Sequence, residues 1–361
     1  MARKTILMPA FPGDPSVETM FTDAGFDLDY ALSEDERALG RVVPDRVALR
    51  RAASAAAMES KLATASAVNA MGVGEPVLVD AAFLAKAPKL QVVFIGAAGY
   101  DRIDVEAATR AGVLVFNAPG GNADVVAEHT LGLMLALAHH IADSDRDAHA
   151  KRKASSRQAV QTSGWPVITL KGRTLGLIGY GFVGRNVADR ARHGLGMNVI
   201  AYDPYFDVLE ADRQGVQLVN SIDDLLSRSV VVSLHMALTD GTRNLIDARA
   251  LGLMRKNALL INTARGGSID TDALVAALTE RRIAGAGLDV TEPEPLPDGH
   301  PLFDLNNVII TPHIAGAAPE AFGRSAVIAA SLAIQALQGR RPAHLVNPAA
   351  WDRYAERFLR E

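Results

Sequence analysis

The sequence predicts an α/β protein built on parallel sheets, in two parts. Short apolar runs of strand length alternate with longer helical patterns through most of the chain, which is the signature of βαβ units. The alternation comes in two separate series. At 361 residues there is also room for two domains of the usual ~100–200 residues each. Apolar residues make up 49% of the chain and charged ones 22%, an ordinary globular balance.

The first series opens with the strand Thr5-Ile-Leu-Met-Pro9, passes through a polar, alanine-rich helical region from Ser33 to Thr64, and reaches the strand Leu90 to Gly96. A helix around Val105 to Ala111 leads to Val113-Leu-Val-Phe116, closed by Asn117-Ala-Pro119. Next, Val125 to Ile141 has helical length and almost no polar face in its middle, so it is expected to be buried between domains or subunits. From Asp143 to Gln161 the chain turns polar and reads as a connector, ended by Gly164-Trp-Pro166.

The second series is easier to read. Strand Thr174 to Ile178 is followed by a helix from about Gly184, strand Asn198 to Tyr202, a helix over Ile222 to Leu226, and strand Val230 to His235. A helix ending near Met254, strand Ala258 to Asn262, helix Asp270 to Glu280 and strands Ala286 to Asp289 and Val308 to Thr311 complete it. A last alanine-rich helix, Pro319 to Leu337, returns to the first part.

Composition removes several functional classes. The 37 basic and 41 acidic side chains leave a net charge of −4, and no long basic block stands out, so a nucleic-acid partner is not expected. With no cysteine, disulfides, thiolate metal sites and cysteine nucleophiles are all excluded. The apolar run near Met1 is too short for a secretory signal, and Leu131 to Ala138 falls far short of the ~20 residues that span a bilayer. A cytoplasmic protein without a membrane partner is expected. No HExxH pattern or Cys/His cluster indicates a metal.

Directly after the strand ending at Ile178 stands Gly179-Tyr180-Gly181-Phe182-Val183-Gly184, with a helix behind it. Such a loop uses its first glycine to turn tightly, its second to admit a pyrophosphate to the backbone, and its third to pack helix against strand. Asp203 closes the next strand, 19 residues past Gly184, where a carboxylate reads a ribose 2′-hydroxyl. The pattern predicts a Rossmann, doubly wound sheet that binds a dinucleotide. Asp203 would repel a 2′-phosphate, and no Arg or Lys lies between Pro204 and Glu210, so NAD is favoured over NADP.

Three charged groups stand where strands of that sheet end, which is where doubly wound sheets collect ligands. Arg265, followed by Gly266-Gly267, offers a planar bidentate donor suited to a carboxylate. Glu292 and Glu294 lie in Glu292-Pro-Glu-Pro295, and His313 in Thr311-Pro-His-Ile314. A histidine paired with a carboxylate is a general acid and base near neutral pH. His139-His140 at the end of the apolar helix reads as capping or a dimer contact, and His235 as lining the cofactor site.

These residues resemble the D-isomer-specific 2-hydroxyacid dehydrogenases, among them phosphoglycerate, glyoxylate/hydroxypyruvate and D-lactate dehydrogenases. The similarity covers most of the chain and includes Ala98-Gly-Tyr-Asp-Arg-Ile-Asp104, Asn117-Ala-Pro119, Val126-Ala-Glu-His129, Gly179 to Gly184, Ser233-Leu-His235, Ile261-Asn-Thr-Ala-Arg-Gly266, Gly287-Leu-Asp-Val290 with Glu294-Pro295, and Thr311-Pro-His313. It implies an NAD domain over residues 120–317, inserted between long helices into a smaller flavodoxin-like substrate domain made of 1–119 and 318–361. It also implies an NAD-dependent interconversion of a small D-2-hydroxy acid and its 2-keto acid, carried out by a homodimer. Arg265 would grip the carboxylate and carbonyl, His313 would supply the proton, and Glu294 would pair with the histidine. Ala98 and Gly99 would complete the carboxylate site through their amides. Cofactor contacts are implied for Gly179, Tyr180, Gly181, Phe182, Val183, Gly184, Asp203, His235, Thr263, Ala264, Asp289 and His313.

The chain departs from the family pattern in places. Where phosphoglycerate dehydrogenases carry an Arg-Ser pair, it has Asn69-Ala-Met-Gly72 without a cation, which favours an unphosphorylated keto acid. Ala237 replaces the usual proline after Ser-Leu-His, and Val230 the usual aspartate before that strand. Glu294 stands where formate dehydrogenases have glutamine. Two other readings stay open: a phosphoglycerate dehydrogenase, and a non-catalytic dinucleotide-sensing scaffold like the family's corepressor relatives.

Overall fold

In a computed structural model, residues 3–9, 14–31, 55–70, 79–152 and 166–359 are described. Part of the expected helix Ser33 to Thr64, Met71-Gly72 and the polar stretch beyond Arg152 with Gly164-Trp165 lie outside the described residues. The chain divides into two compact units, Met1–Asn122 with Ala317–Glu361, and Ala123–Gly316.

The first unit runs β1 (Thr5–Met8), α1 (Ser16–Asp23), β2 (Asp27–Tyr30), α2 (Ala55–Leu62), β3 (Ala67–Asn69), α3 (Ala81–Ala85), β4 (Val92–Phe94), α4 (Val105–Ala111) and β5 (Leu114–Phe116). The strands pair in parallel in the order β2-β1-β3-β4-β5, the flavodoxin-like arrangement. Local chemistry sets the boundaries of α4: Asp104 accepts from Ala107 N at 2.8 Å, and Gly112 ends the helix at φ 67°.

In the second unit α5 (Ala123–Ala138) and α6 (Ile141–Lys151) precede β6 (Thr174–Ile178), α7 (Phe182–Leu195), β7 (Asn198–Tyr202), α8 (Val208–Arg213), β8 (Gln217–Leu218), α9 (Ile222–Arg228) and β9 (Val231–Leu234). The unit ends with α10 (Ala248–Leu253), β10 (Leu259–Asn262), α11 (Thr271–Thr279), β11 (Gly285–Leu288) and β12 (Val308–Ile310). Its sheet is parallel throughout, in the order β12-β11-β10-β9-β6-β7-β8. This is the Rossmann order with one strand added, and the direction of winding reverses between β6 and β9. Strands β9, β10 and β11 are buried along their whole length, which is why they read as unbroken apolar runs.

The structure corrects one expectation for the middle of the chain and adds to another. Helix α5 lays one apolar side on the sheet of its own unit. Leu133 and Leu137 press on β11 where Gly285 and Gly287 carry no side chain; a Cβ on Gly287 would stand 3.1 Å from Leu133 Cβ. The chain then bends by 64° into α6, and His140 at the bend is buried with φ 55°, a turn residue rather than a surface contact. The polar segment read as a connector is helical as far as Lys151. Along it, Asp145 and His149 lie 3.3 Å apart at (i, i+4), and Asp143 and Arg146 3.9 Å apart at (i, i+3), the spacings at which side chains on one helix meet. No single helix among the described residues is long and apolar enough to cross a membrane.

The C-terminal segment adds α12 (Pro319–Leu337) and α13 (Trp351–Phe358) to the first unit. Ala326, Ala329, Ala330 and Ala333 pack with Ile6, Phe94 and Phe116, and Gly96 lets the α12 backbone come close: a Cβ there would lie 3.1 Å from Ala326 Cα. Buried Asn347 ties the two chain segments together, accepting from Val115 N at 2.8 Å and donating to Val113 O at 2.9 Å.

Candidate active site

Parallel strands bring their following loops to the carboxyl end of the second unit's sheet, among them those after β6, β7, β9, β10, β11 and β12. The loop after β6 lies beside the reversal of winding. Gly179 has φ 94°, and a Cβ on it would sit 2.7 Å from the backbone of His235. A Cβ on Gly184 would run into the Gly179 carbonyl, whereas one on Gly181 would meet nothing within 4 Å. Two glycines are thus forced by packing, and the third leaves open space over the first turn of α7, which has no side-chain cap. Those amides and the helix dipole favour an anion, so the loop fits a dinucleotide pyrophosphate.

Asp203 closes β7 and holds this loop from the side. Its Oδ2 accepts from Tyr180 N at 2.8 Å and its Oδ1 from Tyr205 N at 2.9 Å. The Tyr180 ring is buried, donates to Gln214 Oε1 at 2.8 Å and packs edge-on against Phe206, which leaves the residue only its backbone for a ligand. Burial raises its phenol above the usual range. Phe182 is exposed, and Val183 half-buried. At the end of β9, burial pushes His235 down to about 3. Its Nε2 is 2.9 Å from Ser233 Oγ, while its buried Nδ1 finds no hydrogen-bond partner among the described residues.

The loop after β10 carries Thr263, Ala264 and Arg265. Buried Asn262 holds it at both ends, accepting from Ala264 N at 3.0 Å and donating to Arg265 O at 2.9 Å. The Arg265 guanidinium is half-buried and donates to Ala264 O at 2.7 Å. Gly266 is required by packing, since a Cβ there would collide with the backbone of Thr291.

Glu294, not Glu292, meets the histidine, with His313 Nδ1 2.6 Å from Glu294 Oε1. A carboxylate only accepts, so Nδ1 carries the hydrogen and Nε2 is left to exchange a proton. Both side chains are partly exposed, and His313 has φ 52°. Asp289 holds that backbone. Its side chain is buried and accepts from Thr311 Oγ1 (2.6 Å) and Ile314 N (2.9 Å) at Oδ1, and from Ala315 N (2.8 Å) at Oδ2, while its carbonyl accepts from His313 N at 2.8 Å. Asp289, for which a cofactor contact is implied, thus also holds the histidine loop with its side chain.

Ala98 and Gly99 lie in the first unit, in the turn beyond β4. Sequence reasoning missed their support: Asn117 Nδ2 donates to Ala98 O at 2.7 Å, and Asn117 Oδ1 accepts from His344 Nε2 at 2.7 Å. Burial lowers the pKa of His344, in keeping with a neutral ring that donates there.

Known proteins share this fold and its NAD-binding segment. Residues 131–315 match the family described as D-isomer specific 2-hydroxyacid dehydrogenase, NAD binding domain. The chain is 43% identical to the D-3-phosphoglycerate dehydrogenase of Methanocaldococcus jannaschii over 73% of its own length and 48% of that protein's. It is 40% identical to the glyoxylate reductase of Aeropyrum pernix over 74% of this chain and 80% of the other. It therefore spans about half the length of the phosphoglycerate dehydrogenases it matches, and most of the glyoxylate reductases. Among solved structures, the TT0316 protein of Thermus thermophilus shares 31% identity at TM-score 0.73, covering 95% of this chain and 99% of the other. The apo D-mandelate dehydrogenase of Rhodotorula graminis, at 24% identity, shares the fold with TM-score 0.79 over 96% of this chain and 98% of that one. With its Rossmann sheet and NAD-binding segment, the chain belongs to the D-isomer specific 2-hydroxyacid dehydrogenase family.

Proposed function

We propose that the protein is an NAD-dependent dehydrogenase that interconverts a small D-2-hydroxy acid and its 2-keto acid. The observation that carries this reading is the His313–Glu294 pair, 2.6 Å apart, at the same end of the sheet as the glycine loop and Arg265. NADH, when bound, supplies the hydride. Arg265 binds the substrate carboxylate and polarises the carbonyl oxygen. His313 Nε2 gives that oxygen its proton in reduction and takes one from the hydroxyl in oxidation, while Glu294 holds Nδ1–H and so the orientation of the ring. Ala98 and Gly99 amides add donors for the carboxylate. His235, Thr263, Ala264 and Asp289 are assigned to the cofactor side, Asp289 acting through the loop it holds. Asp203 selects NAD over NADP through the ribose hydroxyls.

The substrate is proposed to be unphosphorylated. Asn69, which opens the segment lacking a cation, is buried and directed at Met8 Sδ, 3.9 Å away. We further propose a cytoplasmic homodimer, without nucleic-acid or membrane partners. Leu131 and Leu135, on the side of α5 away from the sheet, and the neighbouring Leu195 stay partly buried in the isolated chain and offer apolar surface for a second copy.

The experiment is NADH oxidation followed at 340 nm against glyoxylate, hydroxypyruvate, pyruvate, 2-ketobutyrate, phenylpyruvate and phosphohydroxypyruvate. Turnover of an unphosphorylated acid that Arg265→Ala abolishes, with NADH fluorescence titration unchanged, is expected. Loss of NADH binding in Arg265→Ala would remove its substrate role. Preference for phosphohydroxypyruvate would make the protein a phosphoglycerate dehydrogenase. Silence across the panel despite NADH binding would leave a dinucleotide-sensing scaffold.

A further inference from the structure

Two neighbouring residues of α5 reach two different loops. His129 Nε2 lies 2.9 Å from Thr311 Oγ1 and 3.5 Å from Asp289 Oδ1. Thr311 already gives its hydroxyl hydrogen to Asp289 Oδ1 at 2.6 Å. A hydroxyl has one hydrogen to give, so His129 must donate to Thr311, and its ring carries hydrogen on Nε2. The next residue repeats the logic. Buried Thr130 gives its hydroxyl hydrogen to Val126 O at 2.8 Å, and therefore receives one from Thr263 Oγ1 at 2.9 Å. Thr311 opens the loop of His313, and Thr263 opens the loop of Arg265.

We propose that His129 is a positioning residue for proton transfer at His313, with Thr130 as the parallel hold on the arginine loop; this rests on the reading of His313 as proton donor. The relay runs from His129 Nε2–H to the Thr311 hydroxyl, to the Asp289 carboxylate, and from there to the amides of Ile314 and Ala315 on the far side of His313. A left-handed backbone is costly for a non-glycine residue and persists only where its surroundings over-determine it. His313 is such a residue, held from Thr311 before it and from Ile314 and Ala315 after it by one carboxylate. Without the imidazole donor, Thr311 is free to turn its hydroxyl away, and Asp289 keeps only the two amides. The charged groups facing this relay are Asp289, against both His129 and Thr311, and Glu294, against His313. Glu128, the preceding α5 residue, faces away towards Arg190, 3.9 Å off.

The test replaces His129 with phenylalanine, which keeps a ring and removes the donor, and with glutamine, which restores an N–H. With NADH and glyoxylate or the best acid of the panel, His129→Phe should lower kcat on the order of 10- to 100-fold, as expected for a misplaced catalytic group. NADH affinity should hold, and His129→Gln should recover most of the rate. In the free protein, the imidazole nitrogen resonances of His313 should titrate differently in His129→Phe. Wild-type kcat with an unchanged His313 titration would overturn the proposal, as would equal loss of NADH binding and kcat. If the wild type reduces no keto acid, the functional reading fails and the His313 titration alone decides the brace. If His129→Phe does not fold, Thr311→Val against Thr311→Ser carries the same comparison, with the serine variant expected to behave as wild type.

Discussion

Without the family resemblance, His313 reads from sequence as a polar residue after an apolar strand. Its function depends on groups that sequence spacing does not bring together. Arg265, Glu294 and His313 could be picked out because each interrupts the apolar pattern at a strand end. Asn262, Thr311, Asn117 and His129 could not, since a lone polar residue takes its meaning from partners elsewhere; His344 and Asn117 meet across 227 positions. Asp203 shows what the structure adds to a residue already suspected. Its carboxylate does not merely await a ribose but anchors Tyr180 N and Tyr205 N. Asp203→Ser is therefore expected to raise NADPH use relative to NADH largely by weakening NADH, on the order of tenfold for a lost charge-assisted bond. Fluorescence titration with both cofactors checks this, and an unchanged ratio would mean that the ribose is read elsewhere. At the acid/base pair, Glu294→Gln removes the carboxylate that holds His313 Nδ1–H. A fall in kcat on the order of 100-fold with KM little changed is expected in steady-state assays.

Among the elements, the strands buried on both faces announced themselves, and those at the margins did not. Strands β2 and β8, at the sheet edges, are partly exposed and carry Asp27-Leu-Asp-Tyr30 and Gln217-Leu218, patterns too polar or too short to read. Strand β3 is interior but only three residues long. Helix α6 was hidden for the opposite reason, because its polar sequence leaves no apolar period. Helix α5 was visible as apolar, yet its burial partner was not, because the partner is an absence: the missing side chains of Gly285 and Gly287. Gly285→Ala would bring a Cβ to 2.7 Å from Asn307 O, a backbone atom with little freedom to move. A stability loss of about 1–3 kcal/mol is expected from such overpacking, read as a lower melting temperature. Wild-type melting would show that β11 and the loop before β12 yield easily.

For the molecule as a whole, the buried His235 couples stability to pH. Its folded pKa, about 3, lies below the ordinary value of 6.5, so between those limits the unfolded chain binds a proton that the folded one does not. Stability is then fully present above pH 6.5 and falls as the solution is acidified towards 3. One such proton sets a slope of up to about 1.4 kcal/mol per pH unit. Urea unfolding from pH 7 to 4 should show a shallower dependence in His235→Asn than in wild type; identical slopes would assign the acid sensitivity to other groups.

The division of the chain also sets an order of events during synthesis. The unit Ala123–Gly316 is continuous, so every strand and helix of its sheet has been made once residue 316 leaves the ribosome. The other unit begins first and finishes last. Its core needs Ala326, Ala329, Ala333 and Tyr354 to cover Ile6, Phe94 and Phe116, and its strand β5 waits for Asn347. Throughout translation of the middle of the chain, that apolar face stands uncovered beside a nascent Rossmann sheet. The newborn protein is thus exposed to aggregation longest at its earliest-made strands, and chaperone dependence should fall on them rather than on the cofactor unit.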